Sequence, residues 1–160
     1  DPLIDYGRKA MEDHRKGLCT YEVEQVVLAI VVTTGIASIF LTRDFTPDYN
    51  SGLAHAVFYA LTSYPVIEER HLHGEVVAFG VLLALLADEQ YEEFELIYSL
   101  NRDLGLPVSL EEIEITGEQW KECEKRIPDM SDVAHYPYRV TEEMLEKAMR
   151  QLKERAQKNV

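Results

Sequence analysis

The chain has 160 residues, enough for one domain with a substantial core and too few for two ordinary ones. Hydrophobic residues make up 46% of it and charged residues 28%, which is typical of a globular protein rather than a disordered one. The formal net charge of −13 argues against binding to nucleic acid, because phosphates would be repelled, and against docking on an anionic membrane.

Helical spacing of apolar residues begins at the first residue. It predicts a helix over residues 1–15, ended by Gly17, and a second helix over residues 20–42 with Thr20 as its cap. The second helix contains the 16-residue apolar stretch Val26–Leu41. A membrane-spanning helix needs roughly 20 such residues, and this stretch also contains Thr, Ser and Gly, so we expect a buried core helix.

The rest of the chain continues the helical pattern. RDFTPDYNSG at residues 43–52 predicts a turn, and a short helix over residues 53–63 is expected to break at Pro65. The helix that follows His73 is apolar on all sides, which predicts burial on all sides. Three more helices are predicted from apolar spacing and end signals: Tyr91–Leu104, a helix capped by Thr116 and Gln119, and a last helix from Thr141.

No alternating strand pattern, repeat or low-complexity tract interrupts these helices. The glycine-rich phosphate loops GxGxxG and GxxxxGK[ST] do not occur in the 160 residues. Cys19 and Cys123 form no CxxC pair, and the opening DPLIDYG does not have the basic start of a secretory signal. The sequence therefore predicts a single all-α, bundle-like domain over residues 1–160, and a cytoplasmic protein.

Two of the five histidines point to a metal site. His55 lies among small and apolar residues in GLAHAVFYALT, and His73 stands directly before GEVVAFGVLLALL. A lone histidine on an apolar helix is commonly a core residue, but two at the starts of neighbouring buried helices can share one cleft. Zinc and iron(II) accept two such nitrogens together with a carboxylate oxygen, which periodicity alone does not identify among the 29 acidic residues.

Three motifs occur in order along the chain: SGLAHAVFYALT, LHGEVVAFGVL and DLGLPVSLEEI. In this arrangement, with AHYPYRVTEEMLEKAM after them, the sequence resembles the C-terminal helical domain of the glycerol dehydrogenase group of metal-dependent alcohol dehydrogenases. The resemblance implies that His55 and His73 bind Zn²⁺ or Fe²⁺ and that the metal polarises a substrate hydroxyl for hydride transfer to NAD(P). It also implies a small polyol, alcohol or 2-hydroxy acid substrate, and a homo-oligomer.

The resemblance implies further site residues. The family's third ligand is an aspartate in a G-D-x-L segment, so Asp1 in Asp1-Pro2-Leu3 is the candidate carboxylate and Asp5 the alternative. Iron-using relatives have a histidine at that second position, so its absence favours zinc. His135 is a candidate for contacting substrate or relaying a proton, with a surface or cap role as the alternative. His71 is expected to be a solvent-facing loop residue rather than a partner of the ligands.

Two departures qualify this resemblance. Phe58 stands where glycerol dehydrogenases often have a second histidine, which leaves the substrate open, and the family's N-terminal nucleotide-binding domain is absent from the 160 residues. Dehydroquinate synthase has a similar L-H-G-E-x-V-A-x-G segment, but it would require a histidine at Ser51. The alternative of another class is a non-catalytic helical interaction or oligomerisation domain without a metal.

Overall fold

A computed structural model describes residues 1–43 and 51–158 of the chain. These residues form helices and loops with no strand among them, which confirms the predicted all-α fold. They fall into two compact units, Asp1–Asn50 and Ser51–Val160, so the single domain over residues 1–160 stays a prediction. Most of the turn predicted at residues 43–52 lies outside the described residues. The helices of the described residues are α1 (Pro2–Arg15), α2 (Tyr21–Leu28), a π-helical turn (Ala29–Thr34), α3 (Gly35–Leu41), α4 (Leu53–Leu61), α5 (Pro65–Arg70), α6 (His73–Ala87), α7 (Tyr91–Leu104), α8 (Gly117–Arg126), two 3-10 turns (Ile127–Asp129 and Ser131–Val133) and α9 (Glu142–Gln157).

In the first unit, α1 packs against α2 around a buried carboxylate. Asp13 is only 1% exposed, and it accepts hydrogen bonds from the Lys9 ammonium and, at 2.8 Å, from the Thr20 hydroxyl. Thr20 lies at the predicted N-cap of α2, but its side chain makes no capping bond there. The sequence therefore predicts where the helix begins, whereas the hydroxyl is used to hold α1 and α2 together.

The prediction that Val26–Leu41 is a buried core helix is wrong. Apart from Ala29, none of its described side chains is buried, and several apolar ones are largely exposed, with Val31 at 66%, Ile39 at 70% and Phe40 at 68%. Tyr21–Phe40 is the one helix of the described residues that is long and apolar enough to cross a membrane, by length and composition. The spacing of apolar residues indicates an apolar helix surface that is unfavourable in water, but it does not indicate whether the same chain, a second chain or a bilayer covers that surface.

In the second unit, α6 is the central helix and packs against α4, α7 and α9. Val76, Phe79, Leu82 and Leu83 have no solvent exposure, whereas Val81 and Leu85 on the opposite face are only partly buried. The predicted burial on all sides is therefore correct for one face of α6 and wrong for the other. This burial anchors the first turn of α6, where His73 lies, to the core of the unit.

Pro65 has a different role from the predicted one. The helix before it ends at Leu61, and Pro65 then begins the next helix, α5. A proline is well tolerated at the first helical position, because its missing N–H has no partner to bond there and its backbone angle already suits a helix. The same residue type therefore marks the end of one helix or the start of another, and the sequence pattern alone does not distinguish them.

The closest approach of α4 and α6 is made at Gly80. A Cβ atom built on Gly80 would lie 2.5 Å from the backbone oxygen of Ala54 and 2.9 Å from its Cα. Only a glycine allows the two helix backbones to come this close. The final glycine of HGEVVAFG is thus a packing requirement, and it sets the distance between the helices that carry His55 and His73.

We expect Gly80→Ala to lower the free energy of unfolding by about 1–3 kcal/mol, the usual cost of overpacking a core. The obstructing atoms are backbone, so α4 and α6 have to move apart. Urea unfolding followed by circular dichroism measures the change. Gly74→Ala on the same helix is the matched control, because nothing lies within 4 Å of its added methyl group. Equal stability of the two variants would contradict the close approach.

Candidate metal centre

His55 and His73 come together at the packed starts of α4 and α6. Their ring centres are 5.5 Å apart and the ring planes are inclined by 43°. His55 is half-buried on the third position of α4, whereas His73 is exposed at the first position of α6. Because α4 and α6 are held at contact distance by Gly80, residues eighteen positions apart in sequence share one edge of the unit.

The first turn of α6 is fixed from two sides. The carboxylate of Glu75 accepts a hydrogen bond from the backbone N–H of Leu72 at 3.0 Å, which holds the start of the helix. The ring of Phe58 meets the ring of His73 edge to face, with centres 4.4 Å apart and planes inclined by 80°. Phe58 therefore limits where the His73 ring can turn, in addition to replacing a histidine of the resembled family.

Burial lowers the pKa of His55, the nearby His73 lowers it further, and the charge of Asp132 opposes both effects. A lowered pKa favours the neutral imidazole, which is the form that binds a metal. Asp132 lies on the 3-10 turn Ser131–Val133, which packs against α4. This carboxylate is not among the predicted site residues, because no motif in the sequence marks it.

The spacing of the two rings fits one shared metal ion. A tetrahedral ion about 2.1 Å from a nitrogen of each ring would hold the ring centres about 5 Å apart, close to the 5.5 Å observed. The two histidines are only part of such a site. Among residues 1–43 and 51–158, no three His, Cys, Asp or Glu side chains are grouped closely enough to hold a metal.

Asp1, the predicted third ligand, belongs to the first unit, and its predicted role stays a prediction. Its carboxylate caps α1 by accepting a hydrogen bond from the backbone N–H of Leu3 at 2.8 Å. Its amino group donates to Asp5 at 2.9 Å, so the two candidate carboxylates lie one helical turn apart and both are exposed.

The other two histidines of interest lie elsewhere in the second unit. His135 is exposed in the loop between the turn Ser131–Val133 and α9, and its predicted contact with substrate stays a prediction. The expectation that His71 faces solvent is wrong: its side chain is 12% exposed and lies 3.9 Å from a carboxylate oxygen of Glu75 and 3.8 Å from one of Glu114. Glu114 is distant in sequence, so local pattern did not indicate this burial.

Comparison with known proteins shows which enzymes the chain is related to. Glycerol dehydrogenase of Thermotoga maritima is 31% identical over 88% of the chain, and that of Citrobacter freundii is 30% identical over 93%. The chain is homologous to the C-terminal part of glycerol dehydrogenases. It spans 38% and 40% of the length of these two relatives. No protein-family model matches the chain.

A solved glycerol dehydrogenase structure contains a similar helical fold in part of its length. The crystal structure of glycerol dehydrogenase from Schizosaccharomyces pombe superposes with a TM-score of 0.73 at 24% sequence identity, covering 99% of this chain and 39% of that one. The helical architecture is therefore that of the matching part of a glycerol dehydrogenase, as the motifs predict.

Proposed function

We propose that this chain is the metal-binding helical domain of an NAD(P)-dependent polyol or alcohol dehydrogenase. The observation that carries the proposal is the pairing of His55 and His73, with ring centres 5.5 Å apart, in a chain homologous to glycerol dehydrogenases. The substrate would be a small polyol, alcohol or 2-hydroxy acid. An N-terminal NAD(P)-binding domain of the same enzyme would supply the hydride acceptor, and the enzyme would be cytoplasmic.

In this proposal His55 and His73 hold Zn²⁺ or Fe²⁺ together with the carboxylate of Asp1. When bound, such an ion acts as a Lewis acid toward a hydroxyl oxygen and favours its deprotonated form. The chain's own contribution is orientation. Glu75 fixes the first turn of α6, Phe58 restricts the His73 ring, and burial lowers the pKa of His55, which favours its neutral form. His135 would contact the substrate or pass on its proton.

The most direct test is anomalous scattering from crystals grown with Zn²⁺ or, without oxygen, with Fe²⁺. We expect one peak at about 2.1 Å from a ring nitrogen of both His55 and His73. Elemental analysis of the purified chain should find about one metal ion per chain. A peak bound by one histidine only, or at other residues, would contradict the proposal.

We also propose that the chain self-associates, and the exposed apolar side chains of Tyr21–Phe40 support this. Soluble monomers rarely expose contiguous apolar surface of more than a few hundred Å². Sedimentation at increasing concentration should therefore show a shift from monomer to oligomer. The double variant Val31→Glu, Ile39→Glu should remain monomeric, since charges would be buried in the contact.

Leu96→Glu is the matched control for self-association, because Leu96 is an apolar residue of α7 that is 43% exposed in the second unit. It should associate like the unsubstituted chain. A chain that stays monomeric at high micromolar concentration, with lipid vesicles taking up Tyr21–Phe40 instead, would show that a bilayer rather than a second copy covers this helix.

A non-catalytic oligomerisation domain is the second candidate, favoured by the same exposed helix. On that reading, the 5.5 Å approach of the His55 and His73 rings is a packing contact between two aromatic rings and has no role in binding a metal. Metal analysis separates the two functions, because only the dehydrogenase domain requires the ion.

A further inference from the structure

A cleft lies between α8 and α9. The residues that line it have no role in the proposed dehydrogenase chemistry. The cleft has a volume of about 580 Å³, within the range of small-molecule sites. Trp120 and Met149, which are 2% and 4% exposed, form part of its lining. Most of the other lining residues are charged, among them Glu118 and Lys121 on α8 and Glu146, Arg150 and Lys153 on α9.

Glu124 is the unusual residue of this cleft. It lines the cleft while being only 5% exposed, and no Lys, Arg or His of the described residues forms an ion pair with it. Burial raises the pKa of Glu124, the Trp120 N–H opposes the rise, the charges of Glu146 and Glu142 add to it, and the charge of Lys121 lowers the pKa to a smaller extent. An isolated carboxylate inside a protein is costly unless a cation or several donors accompany it.

Trp120 lies beside Glu124 at the same place. Its indole Nε1 is buried, and its side chain lies one helical turn from Glu124 on α8, where the N–H lowers the pKa of the carboxyl. Buried indole N–H groups usually have a partner. The carboxyl group of Glu124 is the acceptor beside it, and its ionised form accepts an N–H more strongly than its neutral form does.

We propose that the cleft between α8 and α9 binds an organic cation, an ammonium or guanidinium group on a short apolar body. The cation would pair with the Glu124 carboxylate, and the body would lie against Trp120 and Met149. An indole face also attracts a cation directly. The carboxylate, thus kept ionised, would accept a stronger hydrogen bond from the Trp120 N–H than a neutral carboxyl would.

Other ligand classes fit less well. Lys121, Arg150 and Lys153 also line the cleft, but they are exposed to solvent, whereas an anion placed deep in the cleft would meet the buried Glu124 carboxylate. A neutral alcohol would leave that carboxylate without a countercharge. A bare divalent ion would need several close ligands. Within the described parts of the chain, the acidic residues of the cleft do not form a group of three close enough to share such an ion. The mainly apolar floor also favours a ligand with carbon atoms to bury.

Trp120 is the only tryptophan of the 160 residues, so its fluorescence reports on this cleft alone. Titration of the full chain with n-butylammonium chloride should change the emission and reach saturation. 1-Butanol and sodium butyrate at the same concentrations are the matched neutral and anionic ligands, and sodium chloride controls for ionic strength. We expect the half-maximal change in emission at a concentration of n-butylammonium that is at least roughly tenfold lower than for 1-butanol. Equal responses to amine and alcohol would overturn the proposal.

Glu124→Gln tests the carboxylate with almost no change in shape. The variant should bind n-butylammonium roughly tenfold more weakly or not at all, because a buried charge pair cannot form. Glu92→Gln, at an exposed position in the first turn of α7, is the control and should bind normally. If Glu124→Gln folds and binds as tightly as the unsubstituted chain, the assignment is wrong. If Glu124→Gln does not fold, the comparison of n-butylammonium, 1-butanol and butyrate on the unsubstituted chain still tests whether the cleft prefers a cation.

Discussion

His55→Ala and His73→Ala should each weaken Zn²⁺ binding by about a hundredfold or more, because a three-ligand protein site does not survive as a two-ligand one. The expectation rests on the two rings lying 5.5 Å apart at the joined starts of α4 and α6. Neither change removes much of the core, since His55 is half-buried and His73 is exposed. Loss of affinity should therefore occur without loss of fold.

Competition with a zinc-sensitive dye measures the affinity, and circular dichroism checks the fold. His14→Ala is the matched control, because His14 is an exposed histidine of α1 that the proposed site does not use. It should leave the affinity within about twofold of the unsubstituted chain. If His14→Ala weakens binding as much as the other two, the zinc ion is held by scattered surface groups and the paired site does not exist.

The third ligand can be tested in the same assay without losing the helix cap. Asn caps a helix as well as Asp does, so Asp1→Asn keeps the hydrogen bond to the Leu3 N–H while removing the negative charge. We expect this variant to bind Zn²⁺ at least roughly tenfold more weakly. Asp5→Asn should change little. The reverse result would assign the carboxylate to Asp5.

Local chemistry was enough to predict many helix ends. Thr116 and Gln119 form the expected reciprocal cap, with hydrogen bonds of 2.8 and 3.2 Å between each side chain and the other's backbone. Gly105 ends the helix Tyr91–Leu104 in the left-handed conformation, with φ of +77°, as its position after the last apolar residue indicates. Both features depend on residues within a few positions of each other.

Contacts between residues distant in sequence were not predicted, and predictions of burial that depend on such contacts were wrong. The largely buried side chain of His71 lies 3.8 Å from a carboxylate oxygen of Glu114, and the charge of Asp132 acts on His55 from a turn that is distant in sequence. Neither contact follows from periodicity, which describes one helix at a time. The Val26–Leu41 stretch was expected to be buried for the same reason: the pattern shows that the helix is apolar, whereas its burial depends on neighbours.

The candidate site was predictable only in part, and the predicted part depends on the HGEVVAFG motif. HGEVVAFG contains a predicted ligand, His73, together with the residues that hold it: Glu75 at the helix start and Gly80 at the contact with Ala54. Spacing alone suggested two histidines near one cleft, but the resemblance to glycerol dehydrogenases singled them out. The edge contact between Phe58 and His73 required the structure, because it depends on how α4 and α6 face each other.

The 160 residues alone should turn over no alcohol, even when zinc and NAD are supplied. Hydride transfer requires the nicotinamide to be held within roughly 3.5 Å of the substrate carbon, and this positioning supplies much of the rate enhancement. The chain contains neither glycine-rich phosphate loop, and its net charge of −13 repels a pyrophosphate. It matches only 38% of the length of the Thermotoga maritima glycerol dehydrogenase. The metal half of the proposed site would hold a substrate with no hydride acceptor beside it.

An NADH absorbance assay over a panel of small diols and 2-hydroxy acids tests this expectation, and calorimetric titration with NAD tests for nucleotide binding. The purified chain should first be shown to bind Zn²⁺, so that a lack of turnover is not caused by a lack of metal. Adding a separately produced NAD-binding domain of a glycerol dehydrogenase relative should be the only condition that restores activity. Turnover or tight NAD binding by the isolated chain would mean that these helices themselves hold the nucleotide, and the division of labour proposed for the enzyme would be wrong.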